Sequence, residues 1–235
     1  MSDRLSIKTR IRSRGHWRVA IHPKRAPSNR VDDLGELAAL IPDHAVALRG
    51  WDFPHVDRRS PVARGLDWVG QESEWEHHLD SWRLYKSGLF LAMTAIPDDW
   101  RDQSSVWPAD ETWKTGTRLG VGDAVFSMTE FLELASRLAM SAVGDERMRI
   151  TASLHGAKGR FLHVDSRTRA GFVQPHESHV DEIPFEWQVE RTMLVSAAWD
   201  LAVQQAYKLF QVFGWDAQPG VLEDHQRELR GFRSG

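Results

Sequence analysis

The chain has 235 residues, 41% of them hydrophobic, and a formal net charge of −3, so it can bury a sizeable core and is not composed like a disordered protein. It contains no cysteine, which excludes a disulfide framework, a thiolate zinc site and a cysteine nucleophile. The start, Met1-Ser2-Asp3-Arg4, has no apolar core, and no run of about eighteen apolar residues follows, so a cytoplasmic protein without a signal peptide or membrane span is expected.

Charge is unevenly spread. The first 30 residues hold nine Lys or Arg and one acid, against 21 and 32 in the remainder. Leu5, Ile7, Thr9 and Ile11 alternate with Lys8, Arg10 and Arg12, and Trp17, Val19 and Ile21 alternate with Arg18, Ala20 and His22. With Ser13-Arg14-Gly15-His16 as a turn, this predicts a β-hairpin with one apolar and one basic face. Lys8, Arg10, Arg12, Arg18 and Lys24 would then form a patch about 15–20 Å long, at about 3.3 Å per residue. Such a patch could contact nucleic-acid phosphates, although a solvated charged edge is the commoner outcome.

A helix is expected from Val31 to Ile41, capped by Asn29 and stopped by Pro42. An apolar strand, Ala45 to Leu48, then runs into Arg49-Gly50-Trp51-Asp52-Phe53-Pro54-His55-Val56-Asp57. Gly50 and Pro54 restrict that turn, which holds Arg49, Asp52, His55 and Asp57 at one place. His55 could act as a base or metal ligand oriented by Asp52 or Asp57, with Arg49 gripping a carboxylate or phosphate. The bland reading is an Arg49–Asp52 ion pair and an Asx turn, with Trp51 and Phe53 as core.

Residues 66–85 are ambiguous. Ser73 and Glu76 resemble a capping box, and Trp75, Leu79 and Trp82 have helical spacing, so a helical turn followed by a strand is expected. Leu89 to Ile96 reads as a buried strand after a bend at Lys86-Ser87-Gly88. Residues 97–122 form a long loop carrying Trp100, Trp107 and Trp113, which could pin the loop or stack on a ligand. A helix over 123–142, a strand over 148–154, a turn at 156–159 and a return strand over 161–164 follow. A short strand (185–189) and a long helix (192–213) complete the core, and 216–235 reads as a polar tail. The order points to an α+β domain over 1–215, a largely antiparallel sheet covered on one face by two or three helices.

Arg49-Gly50-Trp51-Asp52-Phe53-Pro54-His55 and Trp82-Arg83-Leu84-Tyr85-Lys86-Ser87-Gly88-Leu89-Phe90 together resemble a family of uncharacterised bacterial proteins. That family shares an Arg-Gly-Trp-Asp-aromatic-Pro-His turn and a later Trp-Arg-x-Tyr-x-Ser-Gly-x-Phe segment. The resemblance covers most of the chain and implies one intact domain, with no activity attached.

Histidines and acids cluster at His77-His78, at His163 and Asp165, and at His176 and His179, but no spacing matches a metal signature, so neither metal nor cofactor is expected. Phosphate-loop and dinucleotide motifs are missing. The reading that follows is a non-enzymatic recognition domain. It would bind a protein or a small anionic ligand through Arg49, Trp51, Asp52, His55, Asp57 and Trp107, and a homodimer is compatible with it. The alternatives are a nucleic-acid-binding module on the basic hairpin and a metal-assisted hydrolase centred on His55 and Asp57.

Overall fold

The computed structural model describes residues 5–25, 29–101, 114–166 and 168–231. Trp107 and Trp113 lie outside them. The fold is α+β, built on a seven-stranded antiparallel sheet. Its strands are β1 (His16–Pro23), β4 (Ala63–Arg64), β5 (Trp68–Trp75), β6 (His78–Tyr85), β7 (Phe90–Ala95), β9 (Arg147–His155) and β11 (Glu182–Glu190), in the order β11-β9-β1-β7-β6-β5-β4. Two small pairs lie outside it. One joins β2 (Val46–Ala47) to β3 (Asp52–Phe53), and the other joins β8 (Arg118–Gly120) to β10 (Phe161–His163) in parallel.

The central strand β1 shows why the sheet has two unlike faces. Trp17, Val19 and Ile21 are buried on one side, while Arg18 between them is exposed. The apolar side meets α2 (Leu34–His44), α3 (Val121–Ala139) and α4 (Arg191–Val212). α3 is the hub. Its residues are buried nearly all round because the sheet lies on one side and α4 and α5 (Pro219–Gly231) on the other.

Several expectations are corrected. The N-terminal hairpin is instead a short helix, α1 (Ile7–Arg12), followed by β1. Ile7 and Ile11 are as well spaced for one helix face as for one strand face, and Ser6 accepts the Thr9 N–H at the helix start. α1 packs on the opposite face of the sheet, where Ile11 meets Leu79, Met93 and Ala95. Residues 68–85 are a hairpin rather than a helical turn and a strand. Its turn places Glu76 at φ +52°, and β6 is buried on both faces. Asp33, not Asn29, caps α2, and Pro42 lies inside that helix. The strand after Gly159 joins β8 instead of returning along β9. The polar tail holds α5, whose Leu222 and Leu229 are fully buried.

Candidate functional site

The Arg49–Phe53 turn forms the lip of a cavity of about 420 Å³ on the helix-covered side of the sheet. Its walls come from several elements, four of which supply the groups that matter here. The turn supplies Arg49, Trp51 and Asp52, and α3 supplies Asp123, Ser127 and Glu130. β6 supplies His78 and Asp80, and β1 supplies Trp17. Asp123, Ser127 and Glu130 are spaced i, i+4 and i+7, so one helix turn after another presents a polar group at the same place.

Arg49 is held by these α3 side chains. Its Nε and Nη2 donate to the two Glu130 carboxylate oxygens at 3.0 and 2.8 Å, Nη1 donates to Asp123 at 2.5 Å, and Nη2 donates to the Ser127 hydroxyl at 3.1 Å. The bland expectation of an Arg49–Asp52 pair is therefore replaced by a pairing with α3, since α3 packs directly against β2 and β3, which flank the turn. Burial opposes the Arg49 charge, but Glu130 and Asp123 more than offset it and raise its pKa. One guanidinium shared by two carboxylates leaves a negative charge in excess. Burial pushes Glu130 up to about 7, Arg49 pulls it down, and nearby Asp123 and Asp80 add to the rise.

Trp51 bridges the turn to the sheet. Its indole N–H donates to Asp80 at 2.8 Å, and its ring stacks on His55 at 3.7 Å and on His78 at 4.5 Å. Asp80 lies opposite Thr94 in the sheet and is 4% exposed, and burial raises its pKa against the hydrogen bonds from Thr94 and Trp51. Burial lowers His78 to about 4, with His77 and Arg49 adding repulsion, so His78 is neutral near pH 7. Trp17, 1% exposed, has an indole N–H with no acceptor among the described residues.

The remaining predicted residues separate. His55 stacks behind Trp51 with Nδ1 2.5 Å from Asp52, and its carbonyl accepts the Trp82 N–H. Asp57 lies outside the cavity wall and forms an Asx turn, accepting from the Arg59 N–H and the Ser60 hydroxyl; the Ser60 bond is the largest cause of its lowered pKa. His55 and Asp57 thus serve different structures. Lys86-Ser87-Gly88 is the turn between β6 and β7, with Gly88 at φ +88°.

The predicted basic face is divided. Lys8 and Arg10 pair with Glu72 and Glu74 on β5. Arg10 and Arg14 also lie over the Trp100 ring, at 5.1 and 4.2 Å. Lys8, Arg12 and Arg18 do line one concavity on the open sheet face, but Glu182 and Glu186 share it, and Lys24 is not part of it. The histidine clusters also disperse. Asp165 accepts the Gly122 and Asp123 N–H groups at the start of α3, His163 lies 3.8 Å from Asp98, and His176 lies against the Gly214 carbonyl. Among the described residues no three His, Asp or Glu side chains are grouped to hold a metal ion. No helix among them is long and apolar enough to cross a membrane.

Reading the sequence missed Asp80, Ser127, Glu130 and the cavity role of Trp17. The signal for Glu130 was present: a charged residue two positions from both Met128 and Leu132 of the apolar stripe, on a helix buried nearly all round. Comparison with protein-family models, curated proteins and solved structures found no match to the chain.

Proposed function

We propose that the chain is a non-enzymatic recognition domain that binds a small ligand in the cavity beneath the Arg49–Phe53 turn. The observation that carries this reading is the convergence of Arg49, Trp51, Asp80 and Glu130 from three separate elements on one cavity with aromatic walls. Cavities of a few hundred cubic ångströms lined by aromatic groups and a few placed polar groups are the usual form of small-molecule sites. The other readings draw less support. Lys8 and Arg10 spend their charge on Glu72 and Glu74, which takes two cations from a nucleic-acid surface. Asp57 is committed to its own turn, which removes it from a pair with His55.

A fragment screen followed by ¹H–¹⁵N NMR tests the reading. Hits should move the indole N–H resonances of Trp17 and Trp51, assigned by Trp17→Phe and Trp51→Phe variants. Hits that leave both resonances in place would sink it, as would a measurable chemical turnover of the ligand.

A further inference from the structure

We infer that the ligand of this cavity is an organic cation, an ammonium or amidinium group on a flat or ring-bearing body that also carries a hydrogen-bond acceptor. The inference rests on the cavity being the binding site. It differs in sign from the anionic ligand expected from Arg49 alone.

The first ground is charge balance. Five carboxyl side chains line the cavity, from Asp52, Glu76, Asp80, Asp123 and Glu130, against the guanidiniums of Arg49 and Arg101; burial favours the protonated forms of Glu130 and Asp80, and Asp52, Glu76 and Asp123 still outnumber the two cations. Arg49 cannot be spared for an anion, because its donors already engage Glu130, Asp123 and Ser127. A ligand carboxylate or phosphate would enter a site with excess negative charge and lose its hydration. A cation would relieve that excess. Asp80 is the group best placed to receive it. It has no paired cation among the described residues, and its two hydrogen bonds come from the neutral donors Trp51 and Thr94.

The second ground is independent of charge. Trp17 stands in the same wall with its ring edge-on to Phe131, centroids 5.7 Å apart, and its buried N–H has no acceptor among the described residues. Leaving such a donor unpaired costs free energy, and a ligand oxygen or ring nitrogen would recover it once a shift of the wall opens the N–H, which is closed to water here, to the cavity. Trp17 and Asp80 are related by the sheet register: Trp17 lies opposite Thr94 on β7, and Thr94 lies opposite Asp80 on β6. One donor and one carboxylate therefore sit in a single row across three strands, about 10 Å apart at the usual strand spacing. That span suits a small molecule with an acceptor at one end and a cationic nitrogen at the other.

The test is a matched set of probes on phenyl, indole and imidazole rings, each made with an ammonium, a neutral and a carboxylate end group. The set is scored by thermal shift and titration calorimetry on the full chain, wild type and Asp80→Asn. Asparagine keeps an acceptor for Trp51 while removing the charge. The expected result is binding confined to ammonium members, weakened about tenfold or more by Asp80→Asn. Trp17→Phe should weaken only those ammonium members that carry an acceptor. Carboxylate members binding as tightly as ammonium members, with loss of binding in a Trp51→Ala variant, would overturn the cation while leaving the cavity as the site. Ammonium binding indifferent to Asp80→Asn, Trp17→Phe and Trp51→Ala would remove the cavity itself, and so would a set with no binding member at millimolar concentration.

Discussion

Two arginines, the buried Arg160 and the half-buried Arg49, use the same chemistry to different ends. Arg160 donates to both Asp99 carboxylate oxygens, at 2.8 and 2.5 Å, and to the carbonyls of Gly156 and Arg118. Asp99 also accepts the Gly15 N–H, and both side chains are almost fully buried. One cation meets one anion, and the cluster is closed: it ties the start of β1 to the Pro97–Asp99 turn and to β8. Arg49 instead meets two carboxylates and borders a cavity. A balanced buried pair holds structure, because removing either partner strands a charge. An unbalanced one keeps residual charge at a wall, where a ligand can use it.

The largest effect should come from the closed cluster. Asp99→Ala strands the Arg160 guanidinium and should cost about 3–5 kcal/mol in denaturant unfolding. A loss below about 1 kcal/mol would erase the distinction between the two arginines. The open cluster should show itself in the pH dependence of stability. Glu130 has its folded pKa raised from 4.5 to about 7, so the folded state binds the extra proton between those values. Its contribution is therefore full below pH 4.5 and is lost as pH rises through about 7, by up to about 3 kcal/mol. His78 acts in the opposite sense. Its folded pKa is lowered from 6.5 to about 4, so its contribution is present above pH 6.5 and is lost as pH falls through about 4. Partial exposure of His78 makes the second effect the smaller. The wild type should be nearly flat from pH 5 to 6.5, and His78→Asn should uncover a fall in stability with rising pH, followed by chemical denaturation at half-unit steps.

A third measurement sharpens the geometry of the closed cluster. A Cβ at Gly15 would stand 2.0 Å from the Arg160 guanidinium, so Gly15→Ala should cost about 1–3 kcal/mol by overpacking, read as a drop in Tm. The smallest effect belongs to Glu130→Gln. Near pH 7 the wild-type carboxyl is already half protonated, and Asp123 still pairs with Arg49, so the cost should be about 1 kcal/mol or less. A loss as large as that of Asp99→Ala would show that Arg49 is as tightly balanced as Arg160.

Composition and periodicity were enough for the fold class, for the long helices α3 and α4, and for the strands β1, β7, β9 and β11, because a half-buried strand and a packed helix each leave a period in the chain. They also marked Arg49, Trp51 and Asp52 as neighbours, since a turn keeps sequence neighbours together. They misassigned α1, where Ile7 and Ile11 fit one helix face as well as one strand face, and residues 73–82, where the helical spacing of Trp75, Leu79 and Trp82 falls on a β-hairpin. Only the tertiary structure decided which charges meet. Arg49 and Glu130 are 81 positions apart, and Arg160 and Asp99 are 61 apart. No local rule links such pairs, because their partnership comes from α3 crossing the sheet beneath the turn and from β8 and β10 closing over Asp99. Arg49, Trp51 and Asp52 were legible in the sequence; Asp80, Ser127 and Glu130 were not, because how many carboxylates meet one arginine depends on which distant segments the fold brings together.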